Sequence, residues 1–224
     1  MIVVGCQNRK DEPKQATGKT NDASSCSCLE NYNGDATFFN RDFVADIAGN
    51  PNPTLNKGGS GKYTYYTSSW EDNGVTSFFS LENLETFSEI KDSYPYAFKD
   101  GQLKTLVDYV KKTYRNQSDE ETAKNDQILN EQYEKQTKDK DPESEATKST
   151  LQNTLLDSEH NAYQTIENLG DYAVFNKKTN DVYVVCGDVL LQLRGQVGPR
   201  GKHDAAKGLE LAIRGAKKII NQCP

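Results

Sequence analysis

Apolar positions along the chain fall into short sets whose spacing switches between the helical and strand periods. Phe43, Val44 and Ile47 share one face of a short helix that Asn40 can cap and that Gly49 and Pro51 stop. A glycine-rich loop, Gly58-Gly59-Ser60-Gly61, then leads into Lys62-Tyr63-Thr64-Tyr65-Tyr66-Thr67, a strand by its Tyr and Thr content. Glu71-Asp72-Asn73-Gly74 reverses the chain into a second strand, Val75–Phe79, because Asn and Gly both tolerate positive φ. A helical stretch is expected next, followed by a clearer helix near Gln102–Tyr114 with Leu103, Leu106, Val107 and Val110 on one stripe.

In the second half, Leu151, Leu155, Ala162, Ile166 and Leu169 mark a helical face ended by Gly170. Three strands follow: Tyr172–Phe175, Asp181–Cys186 and Val189–Arg194, joined by turns at 176–180 and at Gly187-Asp188. In the last of them Val189, Leu191 and Leu193 share one face, the period of a sheet with one buried side. A final helix starts at Asp204 and is expected to bury Leu209, Ala212, Ile213, Ala216, Ile219 and Ile220. The pattern predicts an α+β fold, an antiparallel sheet with helices packed on one face. Both halves run helix, hairpin, helix, as two related α-β-β-α units sharing one sheet would.

Composition divides the chain further. Of 224 residues only 34% are hydrophobic, yet there are 12 Tyr and 8 Phe, more aromatics than a uniformly disordered chain carries. The polar excess is concentrated in residues 7–25 and about 116–150. The first is expected to be a flexible tether, since it lacks bulky apolar residues and cannot offset its ordering entropy by burial. The second is expected to be a charged, partly flexible insertion broken near Asp141-Pro142. That leaves one α+β domain over 26–224. A net charge of −6 argues against nucleic acid as a partner, which calls for a basic face.

The first residues, Met1-Ile2-Val3-Val4-Gly5-Cys6, resemble the lipobox of a bacterial lipoprotein signal peptide: a short apolar run, a small residue, then Cys. The apolar stretch is shorter than a full signal sequence and lacks a basic segment. Residues 1–5 are therefore expected to be a signal-peptide remnant, with 6–25 the tether behind a lipidated Cys6. The alternative is that Ile2-Val3-Val4 forms a buried first strand. The charged stretch after Cys6 resembles signals that send some bacterial lipoproteins to the cell surface.

With Cys6 lipidated, Cys26, Cys28, Cys186 and Cys223 remain, an even number that suggests two disulfides in an exported protein. Cys26 and Cys28 are too close to pair comfortably with each other, so both are expected to reach toward Cys186 and Cys223. A zinc site made of these four with His203 is the rival reading, but only one close cysteine pair exists where structural zinc sites show two.

Asn168-Leu169-Gly170-Asp171-Tyr172-Ala173, then Val182-Tyr183-Val184-Val185, then Gly187-Asp188-Val189-Leu190-Leu191-Gln192-Leu193 and an Ala-rich terminal helix resemble a group of bacterial envelope lipoprotein domains of unknown function. Their pattern is a Gly-Asp-x-Ala turn, a strand, a Gly-Asp turn, a strand and a closing helix. Those domains often carry a cysteine before the Tyr-rich strand, where this chain has Lys62, which leaves the disulfide scheme open. The resemblance implies a fold and an envelope address, periplasmic or surface-facing on the outer membrane. It carries no active site across.

Candidate chemistry is thin. Arg194, Arg200, Lys202 and His203 stand before the expected final helix, whose free N–H groups could help them hold an anion; a solvated loop capped by Asp204 is the alternative. The only other histidine, His160, is expected on an exposed helical face. Gly195–Lys202 and Gly58–Lys62 both fail the spacing of a phosphate loop, and no nucleophile elbow, zinc-protease helix or calcium loop is present. No catalytic residue, metal or cofactor is assigned. Tyr63, Tyr65, Tyr66, Trp70, Phe78 and Phe79 could line a glycan or peptide groove, though core and cross-strand packing accounts for most such groups. The reading is a lipid-anchored envelope protein that binds an unknown ligand or protein partner. A structural envelope component and an enzyme of unrecognised type are the alternatives.

Overall fold

The computed structural model describes residues 36–50, 52–72, 74–137, 161–199 and 201–222, together with Cys26 and Leu29. Expectations for Ile2–Cys6, the tether, Cys28, Asn73, residues 138–160 with Leu151, Leu155 and His160, Arg200 and Cys223 lie outside the described residues.

The centre of the molecule is an antiparallel seven-stranded sheet. Its strands are β1 (Thr54–Gly58), β2 (Tyr65–Asp72), β3 (Val75–Thr86), β4 (Tyr163–Ile166), β5 (Tyr172–Asn176), β6 (Asp181–Cys186) and β7 (Val189–Val197). They lie in the order β1-β2-β3-β7-β6-β5-β4. Two meanders, β1 to β3 and β4 to β7, therefore meet along one seam between β3 and β7. The helices are α1 (Arg41–Ala48), α2 (Phe87–Ser93), α3 (Leu106–Thr113), α4 (Asp119–Thr137) and α5 (Ala205–Asn221).

The expected α+β architecture and antiparallel sheet are present. α1 and α5 form the main helical layer, over a core that joins Phe43, Val44 and Ile47 to Phe79, Leu81, Leu191, Leu193, Leu211 and Ile219. A second, smaller layer lies on the other face. There Phe87, Ile90, Leu106, Tyr109 and Val110 of α2 and α3 pack against Val174, Tyr183, Val185 and Leu190. The single buried side expected for the last strands thus becomes two: every residue of β6 is buried. Each half is also larger than a helix-bounded hairpin, with three strands in one meander and four in the other.

Local signals explain the helix starts. Asn40 accepts from the Phe43 amide at 2.9 Å. Thr86 and Glu89 form a capping box at α2, and Thr105 and Asp108 another at α3. The helix expected from Gln102 accordingly begins only at Leu106. Asp204 caps α5 by accepting from the Lys207 amide at 3.1 Å.

Four elements depart from the sequence reading. The Tyr-rich strand starts at Tyr65, because Gly61–Tyr63 close a 3-10 turn, and β1 forms just before the glycine-rich loop, where no element was expected. The helical stretch expected after Val75–Phe79 is present as α2, but the strand first runs on to Thr86. Ala162 and Ile166 do not share a helix: Tyr163–Ile166 pair with β5 as an edge strand, and Asn168 and Gly170, both at positive φ, turn the chain between them. Tyr163, Thr165 and Ile166 favour a pleated edge, and that pairing outweighs the helical spacing.

α4 leaves the body beside this edge. The Asn116 side chain donates to the Tyr163 carbonyl at 3.0 Å and accepts from its amide at 2.8 Å, fastening the base of the insertion. At the first turn Glu121 accepts from the Ser118 amide at 3.0 Å and from Arg115 Nη1 at 2.7 Å. The Arg115 guanidinium, helped by that amide, holds the Glu121 carboxyl down from 4.5 to about 2. At neutral pH Glu121 is charged in both folded and unfolded chains. As pH falls from about 5 toward 2, the unfolded chain takes up a proton that the folded one refuses, so the support this cap gives is lost over that window. Amide hydrogen exchange should show the first turn of α4 loosening through it, before the sheet does; protection there that stays flat down to pH 2 would contradict this.

Candidate functional site

Alternation along each strand divides the sheet into a near face, under α1 and α5, and a far face. α2 and α3 cover the far face only over β4 to β6 and the adjoining ends of β3 and β7. None of the described helices packs on the rest, where β1, β2, β3 and β7 present polar side chains and two rings. Phe78 is 41% exposed and Tyr65 42%.

The polar group at the β7 margin of this surface is built by strand register. Asp181 and Arg194 are cross-strand partners on β6 and β7. Arg194 donates from Nε to Asp181 Oδ1 at 2.8 Å and from Nη2 to Oδ2 at 3.2 Å, a two-point pair. A register shift between Leu81 and Asn83 leaves Glu82 as the extra residue of a bulge in β3. Its Oε1 reaches to within 3.3 Å of Arg194 Nη1 and accepts from the Ser80 hydroxyl at 2.7 Å. Thr67, Phe78, Ser80, Glu82, Arg194 and Gln196 line a shallow depression of about 150 Å³. Beside it, burial pushes the Tyr183 phenol well above the usual tyrosine range, with the Asp181 charge adding to the shift.

The Asp181 side chain is 4% exposed and that of Arg194 32%. Removing the buried partner strands part of a charge, so Asp181→Ala should cost about 2 kcal/mol. That is less than the 3–5 typical of a fully buried pair, because Arg194 keeps Glu82 and some water. Urea unfolding measures it, and the double change Asp181→Leu with Arg194→Leu should recover much of the loss.

The residues expected from sequence are distributed as follows. Arg194 faces away from α5, on the far face. Lys202 is exposed, and His203 is half-buried with Nδ1 buried and without a hydrogen-bond partner. Asp204 places its own carboxylate at the start of α5, and the Lys207 amide it accepts holds that carboxyl below the usual range. Cys26 and Cys186 are joined, one of the four cross-pairings the sequence allowed between the two ends, with Cα atoms 5.8 Å apart. The aromatic group divides: Tyr66, Trp70 and Phe79 enter the core, Tyr65 and Phe78 stay on the far face, and Tyr63 projects from the 3-10 turn.

Asp181 and Glu82 were not singled out in advance. Asp181 was within reach, since the tight Gly187-Asp188 turn pairs Cys186 with Val189 and so sets Asp181 opposite Arg194. Glu82 was not, because its placement follows from the bulge. Among the described residues no group of three or more His, Cys, Asp or Glu is arranged to hold a metal ion.

Fold and site together define a disulfide-linked α+β protein whose sheet the described helices cover fully on one face and in part on the other. No known family, curated protein or solved structure matches the chain.

Proposed function

We propose that this chain is an exported bacterial envelope protein, anchored to a membrane by a lipid on Cys6, whose folded body is a non-enzymatic binding module. The observation that carries the reading is the Cys26–Cys186 bridge, which ties residues 160 positions apart inside the core. Bridges of that kind form and persist in oxidising compartments and are rare in the cytosol. The lipobox-like Val3-Val4-Gly5-Cys6 and the polar run behind it supply the anchor and the tether. Among the described residues no helix is long and apolar enough to cross a membrane, so the proposed attachment is covalent. Binding falls to the bare part of the far face, where hydroxyl, carboxylate, guanidinium and amide groups converge beside exposed rings.

Intact-mass analysis of protein from the native host, with and without reductant, tests the address. The expected result is a chain beginning at an acylated Cys6 that gains two hydrogens per bridge on reduction. A chain with unmodified Cys6 and free Cys26 and Cys186 would sink the reading.

A further inference from the structure

We infer that the bare part of the far face binds a neutral, flat saccharide chain of the β-1,4-linked kind. The inference rests on the binding-module reading and names its ligand.

Two rings define the platform. Phe78 on β3 lies opposite Ser69 of β2, and Tyr65 lies four residues back along β2 on the same face. At the rise of an extended strand their attachment points are about 13 Å apart, the span of a short oligosaccharide. Tyr65 leans across β1: a β-carbon on its partner Gly58 would fall 2.2 Å from the ring. Glycine there lets the ring lie over the sheet and turn a face outward. Such rings stack against sugar faces whose substituents are all equatorial, as in β-1,4-linked glucose and N-acetylglucosamine chains.

Beside the Phe78 ring, which is part of its wall, lies the depression of about 150 Å³ lined also by Thr67, Ser80, Glu82, Arg194 and Gln196. A sugar hydroxyl is at once donor and acceptor, and this rim offers both kinds of partner side by side. The charges select further. Glu71 and Glu82 stand on this part of the face, and the guanidinium of Arg194 is already paired with Glu82 and the buried Asp181, a balance that repels uronate or phosphate polymers.

A peptide fits less well. β2, β3 and β7 are interior strands with neighbours on both sides. Their backbone groups are spent on the ladder, so an extended peptide cannot add itself as a strand over the depression that they carry. Recognition over the depression must come from side chains, and these are a ring, hydroxyls, an amide and the Glu82–Arg194 pair.

The test is calorimetric titration of the full chain with cellohexaose and with hexa-N-acetylchitohexaose, beside maltohexaose, a galacturonate hexamer and an oligolysine peptide. The expected result is binding to one or both β-1,4 chains and none to the galacturonate. Phe78→Ala and Tyr65→Ala should each weaken binding about tenfold, the worth of a lost stacking contact, and Glu82→Gln should weaken it too. Both rings are exposed, so unchanged thermal melts should accompany the losses. Ring-resonance shifts of Phe78 and Tyr65 in the parent protein report the site without any variant. Failure of both β-1,4 chains to bind, or binding indifferent to both ring deletions, overturns the inference. Preference for maltohexaose overturns the β-1,4 assignment, and preference for oligolysine, lost in Glu82→Gln, overturns the saccharide assignment altogether while leaving the face a binding surface. The mass analysis is read on the native protein, so its outcome stands apart from all of these.

Discussion

Reduction of the Cys26–Cys186 bridge, or its removal as Cys26→Ala with Cys186→Ala, should lower the unfolding free energy by about 4 kcal/mol. Closing a loop of 160 residues removes about 5 kcal/mol of chain entropy from the unfolded state in the simplest treatment. Native proteins realise somewhat less, because unfolded chains keep some structure. Both sulfur-bearing residues are buried beside Phe43, Val184 and Leu191 in the main core, so the alanine pair also gives up a little packing. A loss of this size is a large part of a typical domain's total stability. Urea unfolding with and without reductant measures it; a midpoint that moves by less than the equivalent of about 1 kcal/mol would mean that the bridge only decorates an already closed fold.

The second large effect is expected where α5 crosses β7. A β-carbon on Gly208 would stand 2.5 Å from the Gly195 carbonyl oxygen, and one on Gly195 would stand 2.1 Å from that of Gly208. Two backbones touch there with nothing between them. Further along α5, a β-carbon on Gly215 would meet the Phe79 ring at 2.3 Å, and that ring is stacked on Phe39. In an exposed helix Gly→Ala gains about 1 kcal/mol from propensity. At Gly208 the sign should reverse, because the obstacle is backbone and the whole helix must lift. Overpacking costs of up to about 3 kcal/mol leave Gly208→Ala destabilised by about 2 kcal/mol, with Gly208→Val worse. Thermal melts and urea midpoints of the two variants check it. An alanine variant more stable than the parent would show that the crossing has slack.

These glycines also show where sequence reading stops. The terminal helix, its Asp204 cap and its amphipathic stripe are legible, yet its buried line runs through Gly208, Leu211, Ala212, Gly215, Ala216 and Ile219. Leu209, Ile213 and Ile220 sit at the margin rather than in the centre. Ranking by hydrophobicity favours bulk, whereas this interface is set by close approach. β1 was missed because Thr-Leu-Asn-Lys-Gly offers a single apolar residue; it is an edge strand held by its ladder to β2. β4 was misread because Ala162, Ile166 and Leu169 fall at helical intervals by chance. The second helical layer stayed hidden because β5 to β7 carry apolar residues on both faces, and a continuous apolar run does not say what covers either side. Of the site, the arginine and the rings were visible as residue types. Their grouping on one face depends on register and on a bulge, and neither is written in local composition.

The seam between β3 and β7 also sets the order in which the protein can be completed. Its pairs, Ser77 with Val197 through Thr86 with Val189, join residues more than a hundred positions apart. A chain delivered from its amino end holds β1 to β3 long before β7 arrives, with Leu81 and Leu84 lining an open strand edge meanwhile. Such an edge is a template for unwanted pairing, and contacts of this separation form slowly. The newly emerging protein therefore passes through a stretch of vulnerability that ends only when the last strand docks, and a helper that shields nascent strands would act in that interval.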